Sequence, residues 1–511
     1  MKTPVLFAVI LLLPLCACKK NFENINKDPV GIEGGQYDPN FLLSAAQLNY
    51  TGSPYGGSDA AHTELGGCAA FIQHLASTET TEFYGDKYFA NINATGIYFE
   101  VAYTQQVKLA VDLMALTKDR PASKNLYQAG RLMRAMMLER ITDLYGDVPY
   151  FEAGLGYYDK AYYPKYDSQQ AIYTDLLKEV AEATAALDPA GDRFSADLYY
   201  HDRDDQVDAW KRFGNTLLLR MAMRLTKRDP ETAKRYVLQV TGHTMQSNDD
   251  NAIVQHDASG QQLSENRVSL IFIEPSIRYE AKLSKTFVDF LQSNDDPRLP
   301  VLAEIPMDGS HDAAAQLGLP NGYNSDRNSA FGIQNHVDYP DTMAKYSQPS
   351  ALIVDLNAPT FVLTYAESEL LLADAAARWG TGNAEEHYHH GVVAAITQLK
   401  AYGDAGVITT ADAEAYYTSH PYDPAKGLEM INTQFWATTL FNDYEAWFNW
   451  RRTGYPALTP VQYAGNATQG TIPRRLPYAV SEASSNNANY EAAKNSVPGG
   501  DKFTSRVWWD L

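Results

Sequence analysis

From about residue 95 onward, apolar side chains recur every three or four positions rather than every second one, which is the pattern of amphipathic helices. Leu126, Ala129, Met133, Met136, Arg140 and Leu144 fall on one such stripe. Ser123 stands where an N-cap belongs, and Gly146, followed by Val148 and Pro149, stands where a helix must stop. The spacing therefore predicts a helix of about six turns over 124–145. A second stripe, Phe361, Tyr365, Ser368, Leu372, Ala375 and Trp379, ends at Gly380 and Gly382, and its many alanines suit close helix contact. Further amphipathic stretches run over about 95–118, 168–188, 207–228, 283–293, 384–402 and 428–452.

These stretches fall into neighbours with short connections: 95–118 with 124–145, 168–188 with 207–228, and 361–379 with 384–402. Antiparallel pairs of this length resemble tetratricopeptide-type repeats of irregular period. Between about 241 and 360 the pattern breaks into Gly, Asn, Asp, Ser and Pro clusters such as Pro320-Asn321-Gly322-Tyr323-Asn324-Ser325-Asp326-Arg327-Asn328. The expected architecture is mainly α, with helix pairs over about 95–240 and 360–455 and a loop-rich insert over about 241–360. Long loops held on a rigid scaffold are where binding residues concentrate.

The amino terminus has a separate logic. Lys2 precedes an apolar run over 5–15 that is too short to cross about 30 Å of hydrocarbon, so it reads as the core of a signal peptide. The run ends in Leu15-Cys16-Ala17-Cys18, which resembles a bacterial lipobox. Residues 1–17 are then a lipoprotein signal peptide, Cys18 carries the lipid, and 18–511 form a single domain that meets the membrane through that anchor only. Lys19, rather than Asp, after the cysteine points to the outer membrane. The segment Lys19-Lys20-Asn21-Phe22-Glu23 carries little of the acidic stretch that often directs such lipoproteins to the cell surface. With Cys16 removed and Cys18 acylated, Cys68 is left alone, so no intrachain disulfide is expected.

Composition narrows the partners. Of 511 residues 45% are hydrophobic and 12% aromatic, ample for a core, and the formal net charge is −20 with no basic patch, which excludes nucleic acid as a partner. The nucleophile-elbow, P-loop, dinucleotide and His-Glu-x-x-His patterns are all missing, so no enzyme activity and no cofactor are expected. His387, His389 and His390 do not share one helical face, and the adjacent glutamates read more simply as a solvated charged turn than as a metal site. Asp202, Asp204, Asp205 and Asp208 partly resemble a calcium loop but lack its glycine and terminal glutamate, and acids at a helix start interact favourably with its dipole without an ion. Structural calcium is thus the weaker reading there. All seven tryptophans fall at positions that read as structural, Trp436 and Trp447 on one stripe with Leu440 and Tyr444, which leaves tyrosine to supply any stacking surface.

Several strings, in order, resemble the SusD/RagB-like outer-membrane lipoproteins of Bacteroidota, in particular the SusD-like subgroup. They are residues 24–29 (Asn-Ile-Asn-Lys-Asp-Pro), 134–150 (from Arg134 through Tyr145-Gly146-Asp147 to Tyr150), 210–224 (Trp210 to Arg224), Asp296-Pro297-Arg298-Leu299, 363–370, 445–456, Arg475 to Tyr478 with Asn486 and Asn487, and the terminal Trp508-Trp509-Asp510. The resemblance implies a SusD-like fold and a non-catalytic protein that captures a nutrient, by default an oligosaccharide, for a SusC-like TonB-dependent transporter at the cell surface. A peptide ligand, as in the RagB branch, and a transporter lid with little affinity of its own are the alternatives. The family's usual site position implies Tyr84 and Tyr88, before the first helix pair, and Tyr323, Asn324 and Arg327, in the insert, as ligand contacts.

Overall fold

The computed structural model describes residues 37–53, 57–81, 83–259, 264–273 and 281–511. The expected signal peptide, Cys18 and the string 24–29 lie outside the described residues. The labelled helices are α1 (Asn40–Tyr50), α2 (Ile92–Val101), α3 (Lys108–Thr117), α4 (Lys124–Tyr145), α5 (Gln169–Ala186), α6 (Gln206–Arg224) and α7 (Pro230–Val240). After the insert and its helix α8 (Lys285–Ser293) come α9 (Tyr365–Trp379), α10 (Ala384–Thr397), α11 (Thr410–Ser419), α12 (Gly427–Thr438), α13 (Asp443–Thr453) and α14 (Asn487–Ser496). The protein is mainly α, as expected. Sequential helices pack on each other, α3 on α4, α4 on α5, α5 on α6, α6 on α7 and α9 on α10, so each buries its apolar stripe against its neighbour.

Three boundaries differ from the sequence reading. The 95–118 helix begins at Ile92 and widens into a π-helical stretch over Ala102–Val107. The 428–452 stripe is two helices, broken where Phe441 takes a left-handed φ of 65°. Phe361 belongs to a strand, and α9 starts after Thr364, whose hydroxyl accepts from the Glu367 amide at 3.1 Å. Ser123 holds the N-cap position of α4 without a side-chain bond. Asp192 takes that role from a distance, its carboxylate accepting from the amides of Asn125 (2.8 Å) and Leu126 (3.1 Å).

Strands are short, and every sheet among the described residues has two. β1 (Leu75–Ser77), β2 (Val148–Pro149), β3 (Tyr166–Asp167), β4 (Ala252–Val254), β5 (Ala281–Leu283), β6 (Ala303–Glu304), β7 (Gln348–Pro349) and β8 (Thr360–Leu363) pair antiparallel as β1 with β5, β2 with β3, β4 with β8 and β6 with β7. The β1–β5 ladder, Leu75 opposite Leu283, ties the insert to the segment before α2.

Most of the strings that carry the family resemblance meet in the core. Arg220 of α6 forks onto Glu367 of α9 (2.6 and 2.8 Å), Arg224 holds Asp143 of α4 (3.0 Å) and also Glu445 of α13, and all are buried. Asp143 further accepts from Tyr173 and from the Trp509 indole, both at 2.6 Å. Arg451 donates to the Asp143 and Arg474 carbonyls at 2.6 and 2.8 Å. Desolvation pushes the Glu139 carboxyl well up beside Glu445, while Arg220 and Arg224 hold Glu445 below its usual range despite burial. A buried charge is tolerable only when paired in this way.

Candidate functional site

Three loops meet beside β1. The first is the turn Tyr84–Asp86 and its continuation to Phe89; the second is the insert loop 321–336; the third is 456–472, after α13. Buried Asp86 joins the first two, its carboxylate accepting from the Asn321 amide group (2.6 Å) and the Gly322 amide (3.0 Å) while pairing with buried Lys87 (2.7 Å). Tyr88 joins the first to the third. Its hydroxyl accepts from the Val461 amide (3.2 Å) and its carbonyl from the Ala467 amide (2.8 Å). Gly322 sits at the junction with φ +87°, where a Cβ would stand 2.5 Å from Val461 Cγ1, so only glycine satisfies both backbone and space.

This bracing gathers rings at the surface. Tyr463 packs edge-on to Phe89 (centroids 5.4 Å, 87°) and tilted against Phe331 (4.6 Å, 40°), and all three are half-buried. Beside them Tyr323 meets His336 edge-on at 5.1 Å and rests on the buried cluster Ala76, Leu319, Ile333 and Tyr346. Asn324 binds the loop together: its side-chain amide donates to the Tyr463 hydroxyl (2.6 Å) and Ser329 (3.2 Å), and its backbone exchanges bonds with Phe331 and Ile333 at 2.8 Å each. Arg327 is exposed on the rim, its carbonyl taking the Asn335 amide group at 3.2 Å. The face thus offers aromatic surface, a guanidinium and exposed amides within one set of loops.

Tyr323, Asn324 and Arg327 therefore come together, half-buried, half-buried and exposed. Tyr84 and Tyr88 do not join them as stacking rings. Both are fully buried, Tyr84 edge-on to Phe71 at 5.9 Å with its hydroxyl unpartnered, and burial raises both phenols far above their ordinary range. Their segment shapes the site from beneath instead. Phe89, Phe331 and Tyr463 were missed by sequence reasoning. Phe89 lies one residue beyond the expected segment and Phe331 inside the expected insert, whereas Tyr463 follows the last helix pair and carries no local signal.

A groove of about 680 Å³ adjoins the same cluster, lined among others by Phe272, Lys282, Glu304, Met343 and Gln348, with Met343 packed on the cluster. Gln348 bridges Lys282 (3.2 Å) and Glu304 (2.8 Å) along it. Burial pushes the Tyr346 phenol up to about 12, with Tyr339 and Asp338 adding to it, so its hydroxyl stays protonated.

Elsewhere Asp205, His387 and His389, from the acidic and histidine clusters, have protein partners. Arg203 and Arg212 grip the Asp205 carboxylate at 2.7 Å each and hold it well below its usual range. His387 pairs with Glu369 at 2.8 Å and His389 with Glu414 at 2.7 Å. Among the described residues no group of three or more His, Cys, Asp or Glu is placed to hold a metal ion, and no helix is long and apolar enough to cross a membrane.

A mainly helical scaffold thus presents an aromatic loop face. The profile of a family described as "SusD-like: starch-binding associating with outer membrane" matches residues 36–479, and the chain belongs to that family. A solved chitin-binding protein is 32% identical, covering 93% of this chain and 100% of its own, with a TM-score of 0.81. A "Bacteroidetes AC2a SusD-like" structure is 26% identical over 93% and 100%, TM-score 0.79. A chitin-binding SusD homologue from Flavobacterium johnsoniae shares the fold at 21% identity over 93% and 98%, TM-score 0.75. No protein of curated function matches.

Proposed function

We propose that the protein is an outer-membrane lipoprotein, anchored through Cys18 and displayed at the cell surface, that captures an oligosaccharide on the three-loop face and delivers it to a SusC-like TonB-dependent transporter. The observation that carries this reading is the convergence of Phe89, Phe331 and Tyr463 on one braced surface. Pyranose rings present apolar C–H faces that stack on aromatic rings, and their hydroxyls need the donors and acceptors that Arg327, Asn335 and Tyr323 supply at the rim. Asn324 positions Tyr463 rather than meeting the ligand. Full-length 32% identity to a chitin-binding protein favours a chain of N-acetylglucosamine units as the ligand.

The test is a thermal-shift comparison of residues 19–511 with chitin oligosaccharides, starch oligosaccharides and a peptide pool, because a ligand selective for the native state raises the melting temperature by mass action. The account expects a shift with chitin oligosaccharides that is lost in Tyr463→Ala. A shift with peptides alone would assign the protein to RagB-like peptide uptake. No shift at saturating ligand would leave a transporter lid without affinity of its own.

A further inference from the structure

A second aromatic surface stands on different elements. The β2–β3 pair closes a loop over 150–165 whose sequence, Gly156-Tyr157-Tyr158-Asp159-Lys160-Ala161-Tyr162-Tyr163, holds four tyrosines in eight residues. A compact loop of this kind ordinarily packs its own side chains inward. Here Tyr157 is 88% exposed, Tyr162 67%, Tyr163 70% and Tyr158 39%, with Phe151 beside them at 49%.

The rings are exposed although the backbone beneath them is fixed. Asp167 accepts from the amides of Tyr150 (3.1 Å) and Phe151 (3.0 Å), and Glu152 accepts from that of Lys165 (3.1 Å). From α14 and the residue before it, Asn489 donates to the Tyr163 carbonyl (3.0 Å) and Asn486 to that of Pro164 (2.9 Å). The Tyr158 hydroxyl is fixed on Asp112 of α3 at 2.9 Å, and its ring stands edge-on to Tyr157 at 5.2 Å. Tyr162 folds back over the start of the same turn, its Cδ1 3.7 Å from where a Cβ of Gly156 would be. Rigid backbone and outward rings together make a pre-organised platform, which lowers the ordering cost of binding.

The surroundings select the ligand. No aliphatic side chain stands exposed among Tyr157–Tyr163, which argues against a membrane-inserting wedge. Around the rings Glu152, Asp159, Asp167 and Asp112 outnumber Lys160 and Lys165, so the surface repels polyanions. Rings that carry hydroxyls, with donors and acceptors around them and no basic cluster, suit a neutral chain of sugar rings. We infer that Tyr157, Tyr158, Tyr162 and Tyr163 form a second glycan platform that engages a long polysaccharide while the three-loop face holds one of its segments. This rests on the glycan reading above. It would let one protein stay on an insoluble polymer through two weak contacts, the second made at the high effective concentration set by the first.

The test compares full mature protein with a Tyr157→Ser/Tyr162→Ser/Tyr163→Ser variant, whose fold should be unaffected because all three rings are mostly exposed. Each is measured on chitin beads and, by calorimetry, with a chitin hexasaccharide. The platform predicts unchanged hexasaccharide affinity and a retention on beads about 5- to 20-fold weaker. Conversely, Phe89→Ala/Tyr463→Ala should weaken hexasaccharide binding about tenfold or more and leave residual retention on beads. Equal bead retention by the triple variant and wild type, with hexasaccharide binding intact in both, would overturn the platform and leave the three-loop site standing. Failure of the wild type on both ligands would overturn both. Loss of pelleting with phosphatidylethanolamine vesicles, at unchanged bead retention, would assign the tyrosines to the membrane and also overturn it.

Discussion

The helical scaffold and the loop face solve opposite problems with similar residues. In the scaffold, Trp447, Trp509, Arg224 and Arg451 are buried, and each is hydrogen-bonded or ion-paired to another element of the same chain. On the loop face Phe89, Phe331, Tyr463 and Arg327 keep part of their surface in water, while Asp86, Asn324 and Gly322 supply the bracing behind them. A guanidinium or an aromatic ring therefore says little by itself. Whether its partners already lie within the chain decides whether it holds the fold or remains available to a ligand.

The comparison breaks most visibly in the buried network. Glu445→Ala leaves Arg220 and Arg224 short of a carboxylate, and should cost about 3–5 kcal/mol in urea unfolding, whereas Arg327→Ala on the rim should stay within about 0.5 kcal/mol. If Glu445→Ala is as mild as Arg327→Ala, the network does not hold the scaffold.

Next in size is Gly322→Ala. The added methyl meets Val461 and the backbone stays at φ +87°, so the three loops must part. A loss of about 1–3 kcal/mol is expected, together with weaker oligosaccharide binding. Loss of stability without loss of binding would separate the junction from the site.

The pH dependence of stability comes from the scaffold side. Burial pulls His74 from 6.5 to about 3, and pushes Glu64, beside Asp443, from 4.5 up to about 8. A depressed histidine gives stability that is complete above 6.5 and lost as pH falls toward 3. A raised carboxyl gives stability that is complete below 4.5 and lost as pH rises toward 8. The two slopes oppose each other between 4.5 and 6.5, so melting temperature should form a plateau there and decline on either side. Glu64→Gln should flatten the alkaline decline, read by thermal melts from pH 4 to 9.

The smallest effect separates Tyr84 from the rings above it. Its buried hydroxyl has no partner, so Tyr84→Phe should be neutral or stabilising by up to about 1 kcal/mol and leave ligand affinity unchanged.

Much of the scaffold was legible because helix periodicity is local. The stripe from Leu126 to Leu144 and the stop at Gly146 are read from neighbours a few residues away, and α4 forms where they place it. What escaped was decided at long range. The cap of α4 comes from Asp192, 67 residues beyond Asn125, and the stripe through Trp436 and Tyr444 gave no warning that Phe441 would turn left-handed. The site was legible only as a region. Tyr323, Asn324 and Arg327 lie in a loop whose Asn-Gly turn announces itself, whereas Tyr84 and Tyr88, expected as ligand contacts from the family's usual site position and their loop's composition, are buried. Three-dimensional ties, Asp86 to Gly322 and Tyr88 to Val461, turn the segment around Tyr84 and Tyr88 inward and bring Tyr463 from the far end of the chain.

Calorimetric titration of a chitin hexasaccharide into wild type, Phe89→Ala/Tyr463→Ala and Tyr84→Phe decides whether the three-loop face holds the ligand. Binding by wild type and Tyr84→Phe alike is expected, with affinity weakened about tenfold or more in the double variant while its circular dichroism stays native. Equal affinity in all three would contradict the assignment of the ligand to the three-loop face.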